Sequence, residues 1–226
     1  MATVSRRTFK ELHEQFQTYD PQFTIYRGVS NVDYKLISTL GRVNLKKGET
    51  LEDVERHSLR VFKERAIAFI TTIPANNWEW LALAQHHGLP TRLIDWTRNP
   101  LVALYFSVRN FNNDEQSAIY VLKQKNQNAV DIEIHKDPLK LNGPPLRYIP
   151  SHVTPRIIAQ NGLFTFHPGD ANSPFNPDEM DKIVIPAERR KTLKQELYRY
   201  GIHEASMFPG LDGLASHIKW MNESSY

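Results

Sequence analysis

A chain of 226 residues with no cysteine, 40% hydrophobic and 23% charged, is long enough for one domain with a substantial core. The missing thiols exclude a disulfide framework, a zinc ribbon and a cysteine nucleophile. A formal charge of +3 suits a nucleic-acid or nucleotide partner without diagnosing one, and neither a run of roughly 18–20 apolar residues nor a signal-peptide core in Met1–Lys10 is present, so no membrane partner and a cytoplasmic location are expected.

In chain order, residues 1–5 read as a loose tail. Phe9, Leu12 and Phe16 recur at helical spacing and predict an amphipathic helix over Arg7–Tyr19. Gln22–Arg27 is rich in β-formers and predicts a strand ending at Arg27-Gly28. An irregular polar stretch runs to Gly48. A long helix is expected over Leu51–Thr71, broken by Pro74, and a short one over Trp78–His86 with Gly88 as its C-cap. Leu93-Ile94-Asp95 predicts a short strand, followed by a helix to about Arg109, capped by Thr97 or Asn99 and opened by Pro100. Ala118–Lys123, Leu163–His167 and Lys182–Pro186 are further strands, and Asp131–His135 reads as an edge strand. Ala187–Tyr200, closed by Gly201, and Leu211–Met221 are the last helices. Strands that do not alternate strictly with helices favour an α+β fold over a doubly wound sheet.

Four constellations stand out. In Tyr26-Arg27-Gly28, an arginine at a strand end beside a turn glycine presents a planar fork suited to two phosphate oxygens; the plainer reading is an exposed arginine at a turn. The stretch Gln85–Ser107 puts His86, His87, Arg92, Asp95, Thr97 and Arg98 beside a short apolar strand. Asp95 and Thr97 share one face of that strand and Trp96 takes the other. The spacing of the histidines is poor for a metal, and Asp95 beside Arg92 or Arg98 is equally an ordinary surface ion pair. Trp78, Trp80 and Trp96 read as core rather than stacking platforms, and Leu101–Phe106 as core. Gln160, just before a turn and a buried strand, is either a structural clamp or a ligand contact. Finally, His203 and Glu204 fall in a turn between two helices, where capping is the ordinary role.

Tyr26-Arg27-Gly28, His87 through Leu104, Ala159 through Phe164 and Met207 through Leu214 together resemble the FRG-domain family, named for its aromatic-Arg-Gly motif. The resemblance spans about residues 20–216. It implies a single domain over 1–226, with residues 1–20 as an N-terminal extension, 21–216 as the core and 217–226 as a C-terminal tail. FRG domains in turn resemble the ADP-ribosyltransferase superfamily. That implies a core of mixed and antiparallel strands with several flanking helices, and NAD as substrate with no metal.

On that resemblance, Arg27 holds the pyrophosphate or adjacent ribose, His87 and Thr97 fix a ribose hydroxyl, and Asp95 orients them. Tyr26 or Trp96 stacks on the nicotinamide. Gly28, Thr91, Arg92 and Asn99 complete the NAD-binding set. The glutamate usual in such enzymes is replaced by Gln160, so Glu204 or Asp95 is expected to supply the carboxylate. The acceptor leans to nucleic acid (RNA), given Arg189, Arg190, Lys191, Lys194 and Arg199 near one helix, whose plainer reading is a solvated face. The resemblance further implies a bacterial toxin or phage-defence effector with an antitoxin or chaperone partner. Two alternatives remain: a non-catalytic nucleotide or nucleic-acid binding module, favoured by Gln160, and a hydrolase or nuclease using His86, His87 and Asp95.

Overall fold

The computed structural model of the chain describes residues 3–5, 8–110, 115–124, 129–151, 154–169 and 171–223. Seven strands, β1 (Thr3–Ser5), β2 (Thr24–Val29), β3 (Leu93–Thr97), β4 (Ser117–Lys123), β5 (Leu146–Tyr148), β6 (Gly162–Phe166) and β7 (Met180–Ile185), form one sheet in the order β1-β7-β4-β2-β3-β6-β5. Every neighbouring pair is antiparallel except β1, which adds to β7 in parallel. Around the sheet lie α1 (Phe9–Gln17), α2 (Leu51–Ala66), α3 (Asn77–His86), α4 (Pro100–Val108), α5 (Pro155–Ala159), α6 (Arg190–Arg199), α7 (Glu204–Met207) and α8 (Leu211–Glu223). The fold is mixed α+β, as the pattern of elements predicts.

Local chemistry explains where the helices start. Thr8 and Glu11 form a reciprocal capping box at α1, which buries Leu12 and Phe16 one turn apart. Thr50, Asn76, Asn99 and Thr154 each accept a backbone N–H at the head of α2, α3, α4 and α5, and α4 and α5 begin with a proline whose missing N–H costs nothing there. Gly88, beyond the end of α3, takes the left-handed conformation (φ +84°) that closes a helix.

Apolar side chains form three clusters. One packs α1, α4 and α6 against Tyr26, Ile119, Val121, Ile183 and Ile185. A second, on the opposite face of the same strands, holds Ile25, Val29, Tyr120, Leu122 and Met180, and continues to Ile94 and Trp96 of β3. The third packs α2 and α3, with Trp78 fully buried, against Leu93, Tyr148, Phe164 and Phe166. Between these assemblies the sheet is nearly divided. β2 and β4 pair over six residues, whereas β2 and β3 share the single register pair Tyr26–Thr97.

Several expectations are corrected. Residues 3–5 are an edge strand; residues 1–2 lie outside the described set. The strand at Arg27 does not stop there but runs on to Val29, and Gly28 makes no turn. A Cβ at Gly28 would stand 1.9 Å from the Ala103 carbonyl oxygen, so this glycine lets α4 press onto β2. Asp131–His135 is a turn, closed by the His135 N–H donating to Asp131 O (2.7 Å), and the edge strand there is β5, missed because it is only three residues long. Residues 217–223 belong to α8 rather than to a tail, and residues 224–226 lie outside the described set. Among the described residues, no helix is long and apolar enough to cross a membrane.

Candidate active-site cleft

Where the β2–β3 ladder stops, a cleft of about 350 Å³ opens. Its walls include Arg27, Gln85, His86, Asp95, Arg156 and Gln160. A strand that loses its partner leaves backbone polar groups to be satisfied otherwise. Here Arg27 does so: its Nη1 donates to the Asp95 carbonyl oxygen at 2.6 Å and reaches the Asp95 carboxylate Oδ2 at 3.4 Å. The two residues are 68 positions apart, and the split in the sheet brings them together.

Asp95 Oδ2 also accepts from Gln85 Nε2 at 2.9 Å. Gln85 is oriented in turn, because its Oε1 accepts from the Thr91 hydroxyl at 2.7 Å and from the Thr39 hydroxyl at 3.4 Å. The Asp95 carboxylate, 56% exposed, thus has one oxygen held in place while Oδ1 takes no hydrogen bond from the described residues. Such a group is an acceptor for a hydroxyl and a fixed negative charge at once.

Arg156, on the first turn of α5, supplies a second cation. Its guanidinium lies 4.7 Å from the centre of the Phe208 ring, and Nη1 donates to the His86 carbonyl oxygen at 3.4 Å. Burial, followed by repulsion from Arg156 and His87, lowers the His86 pKa to about 4, so its imidazole is neutral at pH 7. Gln160 sits at the C-terminus of α5, one turn from Arg156, and donates Nε2 to the Met207 carbonyl oxygen at 2.9 Å. Its own carbonyl accepts from the Thr97 hydroxyl at 2.6 Å. The Gln160 side chain therefore lines the cleft and also clamps α5 to α7. Asn161 beside it adopts the left-handed conformation (φ 46°) that turns the chain into β6, a conformation Asn accepts more readily than most side chains.

The remaining expected residues divide. Arg27, Gly28, Asp95, Trp96, Thr97 and Gln160 line the cleft. Thr97 spends its hydroxyl on Gln160 and on the Asn99 N–H (3.0 Å), so it holds the walls together. Tyr26 points away from Arg27, packed edge-on against Phe16 and Tyr19. Burial pushes its phenol up to about 12. Trp96 is 3% exposed, with Nε1 donating to the Thr165 hydroxyl at 2.9 Å. Neither ring is a stacking surface, because strand alternation turns both into the core.

His87 ends α3 exposed, and it is His86 that faces the cleft. Thr91 is buried behind Gln85. Arg92 is buried too, paired with Glu55 through Nε and Nη2, each 2.6 Å from Oε2. Asn99 is the N-cap of α4. None of these last three lines the cleft.

Glu204 lies in a different cavity. It accepts from Arg109 Nη2 (2.5 Å) and Nε (3.0 Å) and from the Tyr105 hydroxyl, beside Lys194 and His203. His203 caps α7, the ordinary role foreseen for that turn. The basic stretch 189–199 is no uniform solvated face. Arg190 is 1% exposed and donates to the carbonyls of Ser107, Asn110 and Glu115, and Lys194 Nζ donates to the Arg109 carbonyl. Among the described residues, no group of three or more His, Asp or Glu is placed to hold a metal ion. Arg156 as a cleft cation escapes sequence reasoning. Its four-residue offset from Gln160 on a proline-capped helix, which sets both on one face, is the signal available.

The architecture therefore defines an α+β domain with an arginine–carboxylate cleft at a break in its sheet. A family model, the FRG domain, matches residues 22–116. The matched segment contains Arg27, Gln85, His86 and Asp95, whereas Arg156, Gln160 and Glu204 lie beyond it. No curated protein and no solved structure matches the chain.

Proposed function

We propose that this chain is an NAD-dependent ADP-ribosyltransferase in which Asp95, rather than Glu204, supplies the catalytic carboxylate. The observation that carries the reading is the pinned Asp95 side chain, with Oδ2 held by Gln85 and Arg27 and Oδ1 without a hydrogen bond from the described residues. Arg27 and Arg156 offer guanidinium groups to a pyrophosphate, which planar forks bind well. Neutral His86 adds an uncharged hydrogen-bonding group on the same wall.

In the reaction, the bond between the nicotinamide nitrogen and C1′ of its ribose breaks, and the electron pair leaves with nicotinamide. Positive charge builds on the ribose, and a carboxylate fixed nearby lowers the barrier without having to reorganise. The acceptor nucleophile then bonds to C1′, and its proton passes to Asp95 and on to water. The acceptor is a macromolecule. RNA is supported by the net charge of +3, and less by the 189–199 stretch, since Arg190 and Lys194 are engaged internally. A toxin or phage-defence role with a neutralising partner, and action in the cytoplasm, rest on the family resemblance alone.

A second reading, a nucleotide-binding module without catalysis, is favoured by one observation: no glutamate lines the cleft among the described residues. The test is nicotinamide release from NAD, with and without total RNA and cell lysate, followed by chromatography. Release by the wild type that falls about 100-fold in Asp95→Asn, and little in Glu204→Gln, supports the transferase. NAD binding without release from folded protein selects the binding module.

A further inference from the structure

Arg156 is a cleft cation whose support comes from outside the cleft. Its Nη1 reaches the His86 carbonyl oxygen only at 3.4 Å, near the outer limit of a hydrogen bond. An arginine held so lightly by polar groups samples many rotamers and loses that freedom when it grips a ligand. What orients Arg156 is an aromatic ring: its guanidinium carbon lies 4.7 Å from the centre of Phe208.

Phe208 is itself fixed on several sides. Its N–H donates to the Glu204 carbonyl oxygen at 2.8 Å and closes α7. Its ring meets Phe106, which lines the cleft, edge-on at 6.0 Å. The head of α8 packs on its backbone so closely that a Cβ at Gly213 would stand 1.9 Å from the Phe208 carbonyl oxygen. Arg109 lies over the same ring, 4.2 Å from its centre, and pairs with Glu204 at 2.5 Å. Two guanidinium groups on one ring repel each other, and Glu204 offsets the charge of Arg109. Arg156 makes no ion pair among the described residues. Gln160, one turn further on, is tied to the neighbouring Met207 carbonyl oxygen at 2.9 Å. Two adjacent residues, Met207 and Phe208, thus anchor two polar side chains that α5 and its C-cap bring to the cleft.

We propose that Phe208 is a positioning residue for the cleft, its ring presetting the Arg156 guanidinium to take a phosphate of the ligand. This rests on the nucleotide reading given above, and it holds for the transferase and the binding module alike. A ring holds a guanidinium without occupying its N–H donors, whereas a carboxylate in the same place would use them and cancel the charge. Arg156 therefore keeps donors for two phosphate oxygens, and little freedom is left for it to lose on binding.

The test is calorimetric titration of the full chain with ADP-ribose, which carries the pyrophosphate without the nicotinamide. Phe208→Leu keeps an apolar side chain and removes the ring, and it should bind about tenfold more weakly. Phe208→Tyr keeps the ring and should bind within about twofold of the wild type. With Arg156→Ala already in place, Phe208→Leu should weaken binding no further, because a ring that acts through Arg156 has nothing left to position. The Arg156 Nε–H proton resonance gives a readout without ligand. It should lie upfield in the wild type, shifted by the ring, and return to the usual arginine range in Phe208→Leu. The wild-type shift alone keeps the proposal open to refutation should Phe208→Leu not fold. No ADP-ribose binding by the wild type at about 1 mM would overturn the nucleotide reading and the proposal with it. Wild-type binding that Phe208→Leu leaves unchanged, a further loss on the Arg156→Ala background, or an ordinary Arg156 resonance in the wild type would overturn the positioning role alone.

Discussion

Two carboxylates, Asp95 and Glu204, sit in neighbouring hollows of this molecule and are held in opposite ways. Glu204 is 16% exposed and takes donors on both oxygens from Arg109 and Tyr105. Asp95 is 56% exposed, and among the described residues only one of its oxygens is held, by Gln85 at 2.9 Å and by a longer contact with Arg27. A carboxylate held by the protein through both oxygens contributes to the fold, whereas one held through a single oxygen beside two arginines has capacity for a ligand. Charge type alone does not separate the two roles; the count of donors does.

The contrast is open to direct attack. The largest effect is expected from Gly28→Ala. The added methyl would collide with the Ala103 carbonyl and displace α4, which carries both Tyr105 and Arg109 toward Glu204. A loss of about 3 kcal/mol or more in denaturant unfolding is expected, and a neutral result would show that α4 has room to move. Next, Glu204→Gln should cost about 2 kcal/mol, because the buried face of Arg109 loses its counter-charge.

Acidification should come third. His86 and His167 both have pKa values lowered to about 4, chiefly by burial, so between pH 6.5 and about 4 the unfolded chain binds protons that the folded chain refuses. Their contribution is therefore fully present above pH 6.5 and is lost as the pH falls through that window. Tm should decline across it, and His86→Asn should flatten part of the decline. The smallest effect is expected from Asp95→Asn. Its stability cost should stay below about 1 kcal/mol, since the exposed, 3.4 Å pair with Arg27 is weak. A cost equal to that of Glu204→Gln would erase the distinction between the two carboxylates.

Much of the fold is legible in the sequence because its signals are local. Phe9, Leu12 and Phe16 mark α1, Asn99-Pro100 marks the head of α4, and the apolar run 118–122 marks β4. Short elements such as β1 and β5 are too brief to show periodicity and exist through pairing with β7 and β6. The site is legible in part. Arg27 and Asp95 are named by residue type, but their contact depends on where the β2–β3 ladder ends, which no local pattern encodes. The same limit explains the misplacement of Thr91, Arg92 and Asn99. Each is polar and close to Asp95 in sequence, yet each faces a different neighbour: Gln85, Glu55 and the head of α4. Arg190 shows the converse, a charge in a basic run whose partners are carbonyl oxygens of the segment around residues 107–115.

The single register pair between β2 and β3 has a mechanical consequence. A sheet transmits force through its ladders, and here one half is tied by six pairs between β2 and β4 and the other by five between β3 and β6. The seam between them is the compliant line of the sheet, so each half behaves as a stiff plate and bending concentrates at Tyr26–Thr97. Arg27 and Asp95 face each other across that seam, and a ligand gripping both would act as a rivet through two plates.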